Sequence, residues 1–129
     1  MTNLTYISPF FIVADLKNSI AFYTEKLGFE IVYIGPDEDP FYAMVRRDKV
    51  SIMLKAIALG IKPAPNHTRH EWARWDAYIS TKDPAALFEE YRAAGLTFYQ
   101  PLRVDGDGLL GFEITDADGY VLFFGRPNE

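Results

Sequence analysis

The sequence predicts an α+β fold that consists of two βαβββ modules within one domain of 129 residues. Two observations predict this fold. Each half of the chain shows a strand, an amphipathic helix and three further strands in the same order, and the residues that end the two helices recur at one fixed spacing. The length lies in the usual range of a single domain, and a hydrophobic content of 49% suffices for one sizeable core.

The first module begins with a strand predicted at about Ile7 to Val13. Asp15 is placed to cap a helix over Leu16 to Leu27, whose apolar residues recur every three or four positions, and Gly28 follows as a left-handed C-terminal cap. A loop with two prolines and a tight turn separate the three later strands, which are predicted at Phe29 to Ile34, Phe41 to Arg46 and Val50 to Lys55.

The second module follows a segment rich in glycine and proline that lacks sustained periodicity and is typical of a connector. Asp83 and Pro84 are the predicted cap and first residue of the second helix, and Gly95 ends it. The four strands of this module are predicted at Trp75 to Ser80, Leu96 to Tyr99, Leu110 to Thr115 and Tyr120 to Gly125.

An internal repeat relates the two modules. Gly28 and Gly95 lie 67 positions apart, and so do the helix residues Ile20 and Leu87. The alternative is that the two halves are unrelated α+β stretches. The repeat predicts one domain over residues 1–129, with module one at 5–57, a connector at 58–74 and module two at 75–127.

Composition excludes several classes of function. Eighteen acidic against thirteen basic residues give a net charge of −5, which repels nucleic acid and anionic membrane surfaces, so neither is an expected partner. The chain has no Cys, which excludes disulfides, thiolate metal sites and a Cys nucleophile. No signal peptide and no apolar run of membrane-spanning length is evident, so a cytoplasmic location is expected.

Two segments resemble a known family. The stretch from Phe11 to Phe29 resembles the opening module of the vicinal oxygen chelate superfamily, and Asp116 to Tyr120 resembles its terminal DPDG hairpin, with Ala117 in place of the usual Pro. The resemblance implies that the two modules form a U-shaped mixed sheet around a groove, with the helices on the outer face. This superfamily includes glyoxalases, bleomycin-resistance proteins and extradiol dioxygenases, whose functions differ although they share a fold.

The positions that hold a metal in metal-dependent members carry unsuitable residues here. Carried over strand by strand, these positions are Ser8, Met53, Asp76 and Phe123. An open catalytic site needs about three oxygen or nitrogen donors, and only Asp76 is an ordinary ligand for a hard or borderline metal. The sequence is therefore closest to the bleomycin-resistance-like branch, which lacks the metal triad.

Strand alternation assigns the side chains to two faces. One face is expected to line the groove and to hold a planar or cationic ligand through stacking and charge pairing with Asp76. The ligand-binding residues predicted are Ser8, Phe10, Tyr42, Met44, Met53, Trp75, Asp76, Tyr78, Phe112 and Phe123. The residues expected to pack beneath the helices as core are Phe11, Val13, Ile52, Leu54, Ala77, Ile79, Leu122 and Phe124. The alternative is that the rings of the first face merely complete a core.

The first hypothesis is accordingly a metal-independent protein without cofactor or catalytic residue, which binds a small molecule, acts in sequestration or resistance and forms a homodimer. A second hypothesis is a lyase, isomerase or dioxygenase with a non-standard metal site that uses Asp76 with Glu113 or a His. A third is an accessory module that regulates a partner protein. His67 and His70 lie in the connector, where solvated side chains are the simpler interpretation.

Overall fold

In the computed structural model, which describes residues 2–129, the chain forms two four-stranded mixed sheets, one in each of two units. The units are Met1–Pro63 and Ala64–Glu129, and their boundary falls within the predicted connector. The predicted domain range starts at Met1, which lies outside the described residues. The α+β class and the two βαβββ modules are confirmed, whereas the U-shaped arrangement and the single domain stay predictions.

The first unit contains strands and a helix in the order β-α-β-β-β. A π-helical turn, Phe22–Lys26, extends the helix, and Leu27 N donates to Phe22 O at 3.3 Å. The elements are β1 (Phe10–Ile12), α1 (Leu16–Ala21), β2 (Glu30–Gly35), β3 (Tyr42–Arg47) and β4 (Val50–Lys55). Asp15 caps α1 as predicted, because its carboxylate accepts from Asn18 N at 3.2 Å.

The second unit repeats this order after a short 3₁₀ turn, Asn66–Thr68. Its elements are β5 (Ala77–Ser80), α2 (Pro84–Ala93), β6 (Phe98–Val104), β7 (Leu109–Thr115) and β8 (Val121–Pro127). Asp83 caps α2 by accepting from Ala86 N, and Gly95 follows the helix at φ +83°, a backbone conformation that glycine adopts at little cost.

The two sheets share one strand order. In the first it is β1-β4-β3-β2 and in the second β5-β8-β7-β6. In each sheet the strand before the helix pairs in parallel with the last strand, and the other pairings are antiparallel. Each helix packs on one face of its own sheet, α1 against β3 and β4 and α2 against β6, β7 and β8. The opposite face of each sheet is called its open face below.

β5 begins at Ala77 instead of Trp75, β8 runs to Pro127 instead of Gly125, and two other strands differ more from the prediction. β1 is shorter than expected, and Ile7 is 92% exposed ahead of it. β6 runs from Phe98 to Val104 instead of Leu96 to Tyr99 and continues through Pro101. β6 is an edge strand, where a residue without an N–H group is tolerated. Among the described residues, no helix combines the length and the apolar content needed to cross a bilayer.

Candidate functional site

The open face of the second sheet presents three side chains in register. Tyr78 on β5 pairs with Phe123 on β8, and Phe123 pairs with Glu113 on β7. Because residues opposite each other in a sheet point to the same side, the two rings and the carboxylate form one row across three strands. Tyr78 is 44% exposed, whereas Phe123 is 3% exposed.

Trp75, two residues ahead of β5, completes an aromatic platform with Tyr78 and Phe123. The ring centroids of Trp75 and Phe123 lie 4.6 Å apart, and those of Tyr78 and Phe123 lie 5.2 Å apart with planes at 23°. The Trp75 and Tyr78 centroids are 5.6 Å apart. All three distances lie in the range of favourable aromatic contacts, so the platform is a continuous ring surface.

Two glycines make room for this platform. Gly111 and Gly125 pair with each other on β7 and β8, next to Phe123. A Cβ atom at Gly111 would lie 2.5 Å from the Phe123 ring, and one at Gly125 would lie 2.6 Å from it. Because real Cβ atoms do not approach this closely, the Phe123 ring can rest on bare backbone only where both positions lack a side chain.

Glu113 is the carboxylate that belongs to the platform. Its side chain is 10% exposed, and its Oε2 accepts a hydrogen bond from Trp75 Nε1 at 2.9 Å. This bond satisfies the indole N–H and fixes the orientation of the Trp75 ring.

Arg74 holds the Trp75 ring from another direction. Its guanidinium carbon lies 4.2 Å from the ring centroid, and the group donates at 2.7 Å to both Asp105 and Asp107 in the β6–β7 loop. The hydrogen bond with Asp105 raises the pKa of Arg74 and, in turn, lowers the pKa of the Asp105 carboxyl below its ordinary value. The guanidinium therefore stays charged and links the loop to the platform.

Asp76, the predicted charge partner of a ligand, has a structural role. Its Oδ1 accepts from Asn66 N at 2.9 Å, and its Oδ2 accepts from Val121 N at 2.8 Å. Both oxygens thus bond backbone N–H groups and hold the segment before β5 to the start of β8. Within residues 2–129, no three His, Cys, Asp or Glu side chains lie close enough together to hold a metal ion.

Phe112 lies in the core of the second unit. It is fully buried on the side of the sheet that α2 covers, stacked on Phe124 at 5.3 Å and edge-on to Tyr91 at 6.0 Å. The strand alternation that brings Glu113 to the open face turns its neighbour Phe112 away from it. We therefore leave Phe112 out of the ligand-binding set.

The predicted ligand residues of the first unit share the open face of the first sheet. Phe10 pairs with Met53, and Met53 pairs with Met44. Phe10 is 52% exposed, and Tyr42 contacts Tyr33 with ring centroids 5.8 Å apart. Ser8 differs in that its hydroxyl donates to Ser51 O at 3.0 Å, which fixes the chain ahead of β1.

The importance of three site features was not predicted from the sequence. The sequence indicated Glu113 only as a possible metal ligand beside Asp76, and it predicted neither a role for Arg74 nor the pairing of Gly111 with Gly125. A glycine inside each of two neighbouring strands is a signal of close approach, and it was available in the sequence. His67 has a structural role, since its Nε2 lies within hydrogen-bond distance, 2.9 Å, of Gly119 O.

Comparisons with known proteins agree with this fold. A family model described as Glyoxalase/Bleomycin resistance protein/Dioxygenase superfamily matches residues 4–124. A search of curated proteins gave no match.

Solved structures of the same fold cover nearly the whole chain. TioX from Micromonospora sp. ML1 has a TM-score of 0.74 at 18% identity, over 95% of this chain and 98% of that chain. The bleomycin-binding protein from Streptomyces verticillus, complexed with copper(II)-bleomycin, has a TM-score of 0.71 at 21% identity, over 100% of both chains. TnmS3, an antibiotic binding protein from Streptomyces sp. CB03234, has a TM-score of 0.68 at 17% identity, over 98% of this chain and 97% of that chain. At such low identities these likenesses show the fold alone.

Proposed function

This chain belongs to the Glyoxalase/Bleomycin resistance protein/Dioxygenase superfamily, and from that premise we propose that it is a metal-independent small-molecule binding protein. Its ligand is aromatic or cationic, and its role is sequestration or resistance. Two proteins of the same fold support this class of function, since one binds bleomycin and another is an antibiotic binding protein.

The observation that carries the proposal is the aromatic platform of Trp75, Tyr78 and Phe123 on the open face of the second sheet. Tyr78 is 44% exposed, although a core that needed its ring would cover it. A planar ligand that stacks on this ring adds apolar contact without disturbing the helix-covered core on the opposite side of the sheet.

The first sheet supplies a second apolar surface, which we propose as a weaker contact for a ligand. Phe10, Tyr42, Met44 and Met53 lie on its open face, with Phe10 52% exposed. Thioethers adapt to many shapes, so this surface favours broad rather than selective binding.

Metal independence rests on the donors themselves. Met53 and Phe123 cannot bind a hard cation, and the Asp76 carboxylate already accepts from Asn66 N and Val121 N. The same proposal includes a homodimer, which sedimentation equilibrium tests. It also includes a cytoplasmic location, which cell fractionation tests.

The test uses Trp75 as its reporter. The chain has two Trp, and Trp72 is 82% exposed outside the platform, so Trp72→Phe leaves one indole within the site. We expect bleomycin or planar aromatic compounds, with EDTA present, to change Trp75 fluorescence saturably. In the same background Tyr78→Ala should weaken binding about two- to tenfold, the value of one aromatic contact.

Tyr6→Ala is the matched control, because Tyr6 is 61% exposed and lies ahead of β1 in the first unit. It should leave affinity unchanged. Affinity that Tyr78→Ala does not alter, or binding that EDTA abolishes, contradicts the proposal.

A further inference from the structure

Glu113 is the carboxylate on the open face of the second sheet that lies opposite Phe123. Its side chain is nine-tenths buried beside the aromatic platform, in register with Phe123. Within residues 2–129 both of its partners contact Oε2. Trp75 Nε1 donates a hydrogen bond to this atom, and the Arg74 guanidinium lies 3.8 Å from it. Oε1 of the same carboxylate is thus left to a ligand at the edge of the rings.

Three carboxylates and two guanidinium groups surround the platform. Arg74 faces the carboxylates of Asp105, Asp107 and Glu113. The second cation, Arg103, pairs with Gly111 on the same face and is exposed to solvent. Arg74 lies 2.7 Å from both loop carboxylates but 3.8 Å from Glu113, so its charge is taken up chiefly by the loop. The region that a ligand enters therefore favours a cation over an anion.

The protein itself shows which chemistry suits this corner. The planar Arg74 cation lies 4.2 Å from the Trp75 ring centroid and 3.8 Å from Glu113 Oε2. A planar cation is bound by the face of an aromatic ring and by a carboxylate, and Arg74 lies close to both.

We propose that Glu113 is the specificity-determining residue of the site, and that it selects a planar aromatic ligand with a cationic N–H group over its neutral or anionic counterpart. This inference rests on the proposed function and adds the charge of the ligand to it. Asp76, which the sequence suggested for this role, is committed to the backbone of Asn66 and Val121.

The experiment compares three ligands that share one ring system and differ in charge. The probes are 9-aminoacridine as the cation, acridine as the neutral compound and acridine-9-carboxylate as the anion, all at pH 8. Fluorescence anisotropy of the probe gives each dissociation constant in the full chain. We expect the cation to bind more tightly than the neutral probe by about tenfold to a hundredfold, the range of a charged hydrogen bond, and the anion to bind most weakly.

Two variants separate charge recognition from structural support, with the ratio of the neutral to the cation dissociation constant as the readout. Glu113→Gln retains an oxygen acceptor for Trp75 Nε1 and should bring this ratio close to one. Arg74→Gln removes the competing cation and should raise the ratio by about two- to fivefold, as a partly exposed charge allows. Glu89→Gln, an exposed change of the same charge on α2, should leave it unchanged.

The outcomes distinguish this inference from the proposed function. Equal binding of all three probes, or a ratio that Glu113→Gln does not alter, overturns the inference and leaves small-molecule binding intact. Loss of affinity in both variants with an unchanged ratio shows that Glu113 only supports Trp75, which also overturns it. If no probe binds, the proposed function fails together with the inference.

Discussion

The two sheets of this chain share a strand order and a register, and their open faces carry different chemistry. Counted by strand pairing, three positions correspond across the sheets. The corresponding residues are Phe10 and Tyr78, Met53 and Phe123, and Met44 and Glu113. The first sheet therefore presents thioethers where the second presents a buried ring and a carboxylate. One backbone plan supports an adaptable surface in one unit and an oriented, charged one in the other.

A pair of glycines accounts for the ring in the second sheet. Gly111 pairs with Gly125, and at the corresponding positions of the first sheet Tyr42 pairs with Lys55. Side chains at these positions cover the backbone of the first sheet. In the second sheet the two glycines have no side chains, and the Phe123 ring occupies the space above their backbone. The comparison teaches that the absence of two side chains shapes this face as much as the presence of the rings.

The helix-covered faces differ in the same way. Ala43 pairs with Leu54 in the first sheet, whereas Phe112 pairs with Phe124 in the second. All four side chains are buried or nearly so, and the Phe pair also contacts Tyr91 of α2. The second unit is thus held by an aromatic core that a smaller residue cannot fill.

Removing the central ring of that core should give the largest effect. Phe112→Ala is expected to lower the free energy of unfolding by about 3–5 kcal/mol, because the ring is fully buried and leaves a cavity. Both Trp residues lie in the second unit, so Trp fluorescence during urea denaturation reports on its unfolding.

Ile114→Val serves as the control for this change. Ile114 is equally buried on the same strand, but the substitution removes one methylene group and should cost only about 0.5–1.5 kcal/mol. A similar loss in the two variants would mean that the core of the second unit does not depend on its rings.

Adding a methyl group at either glycine should convert the second open face toward the first. In Gly125→Ala the new Cβ would lie 2.6 Å from the Phe123 ring and 2.5 Å from Leu110 O, so both the ring and the strand backbone must move. We expect a loss of about 1–3 kcal/mol in the free energy of unfolding, as overpacking costs, together with weaker ligand binding to the displaced platform.

A double variant and a control isolate the cause. Phe123→Leu combined with Gly125→Ala should cost less than the sum of the two single changes, because the smaller side chain relieves the contact with the ring, although the contact with Leu110 O remains. Gly106→Ala meets no atom within 4 Å and should be nearly neutral. Additive effects of the two changes would show that the glycines do not accommodate the ring.

The sequence allowed the architecture to be predicted because helix periodicity, caps and stop glycines act locally. Asp15, Asp83 and Gly95 each perform the capping role that their residue type favours. β6 was placed too early. A strand can continue through Pro101 only at the edge of a sheet, and only the neighbouring strands decide whether β6 is an edge.

The candidate site was predicted less completely, since it depends on pairings between distant strands. Tyr78 and Phe123 were chosen from strand alternation. The sequence alone could not show that Glu113, rather than Asp76, is the carboxylate beside the rings. The hydrogen bonds that commit Asp76 to Asn66 and Val121 join segments that the sequence does not relate. The same applies to Arg74, whose partners lie 31 and 33 positions away.

The smallest expected effect on stability concerns Arg74. In each unit a cation lies over an aromatic ring, and in the second unit this cation is Arg74. Lys55 Nζ lies 5.7 Å from the Phe41 centroid in the first unit, and Arg74 lies 4.2 Å from that of Trp75 in the second, where Asp105 holds it. Asp105→Asn removes this charge partner while its amide oxygen can still accept from Leu109 N. We expect a loss of about 0.5–1 kcal/mol at neutral pH, because Arg74 is about a third exposed.

The pH dependence of that loss separates the ion pair from general damage to the loop. Hydrogen bonding to Arg74 lowers the pKa of the Asp105 carboxyl below its ordinary value of 3.8. Its stabilisation is therefore complete above the ordinary value and is lost as the pH falls through the lower pKa of the folded state. The difference in unfolding free energy between the parent and Asp105→Asn should stay constant near neutral pH and shrink in acid below 3.8. Urea denaturation followed by Trp fluorescence measures this difference, and a value that does not change with pH would show that Asp105 stabilises the loop without its charge.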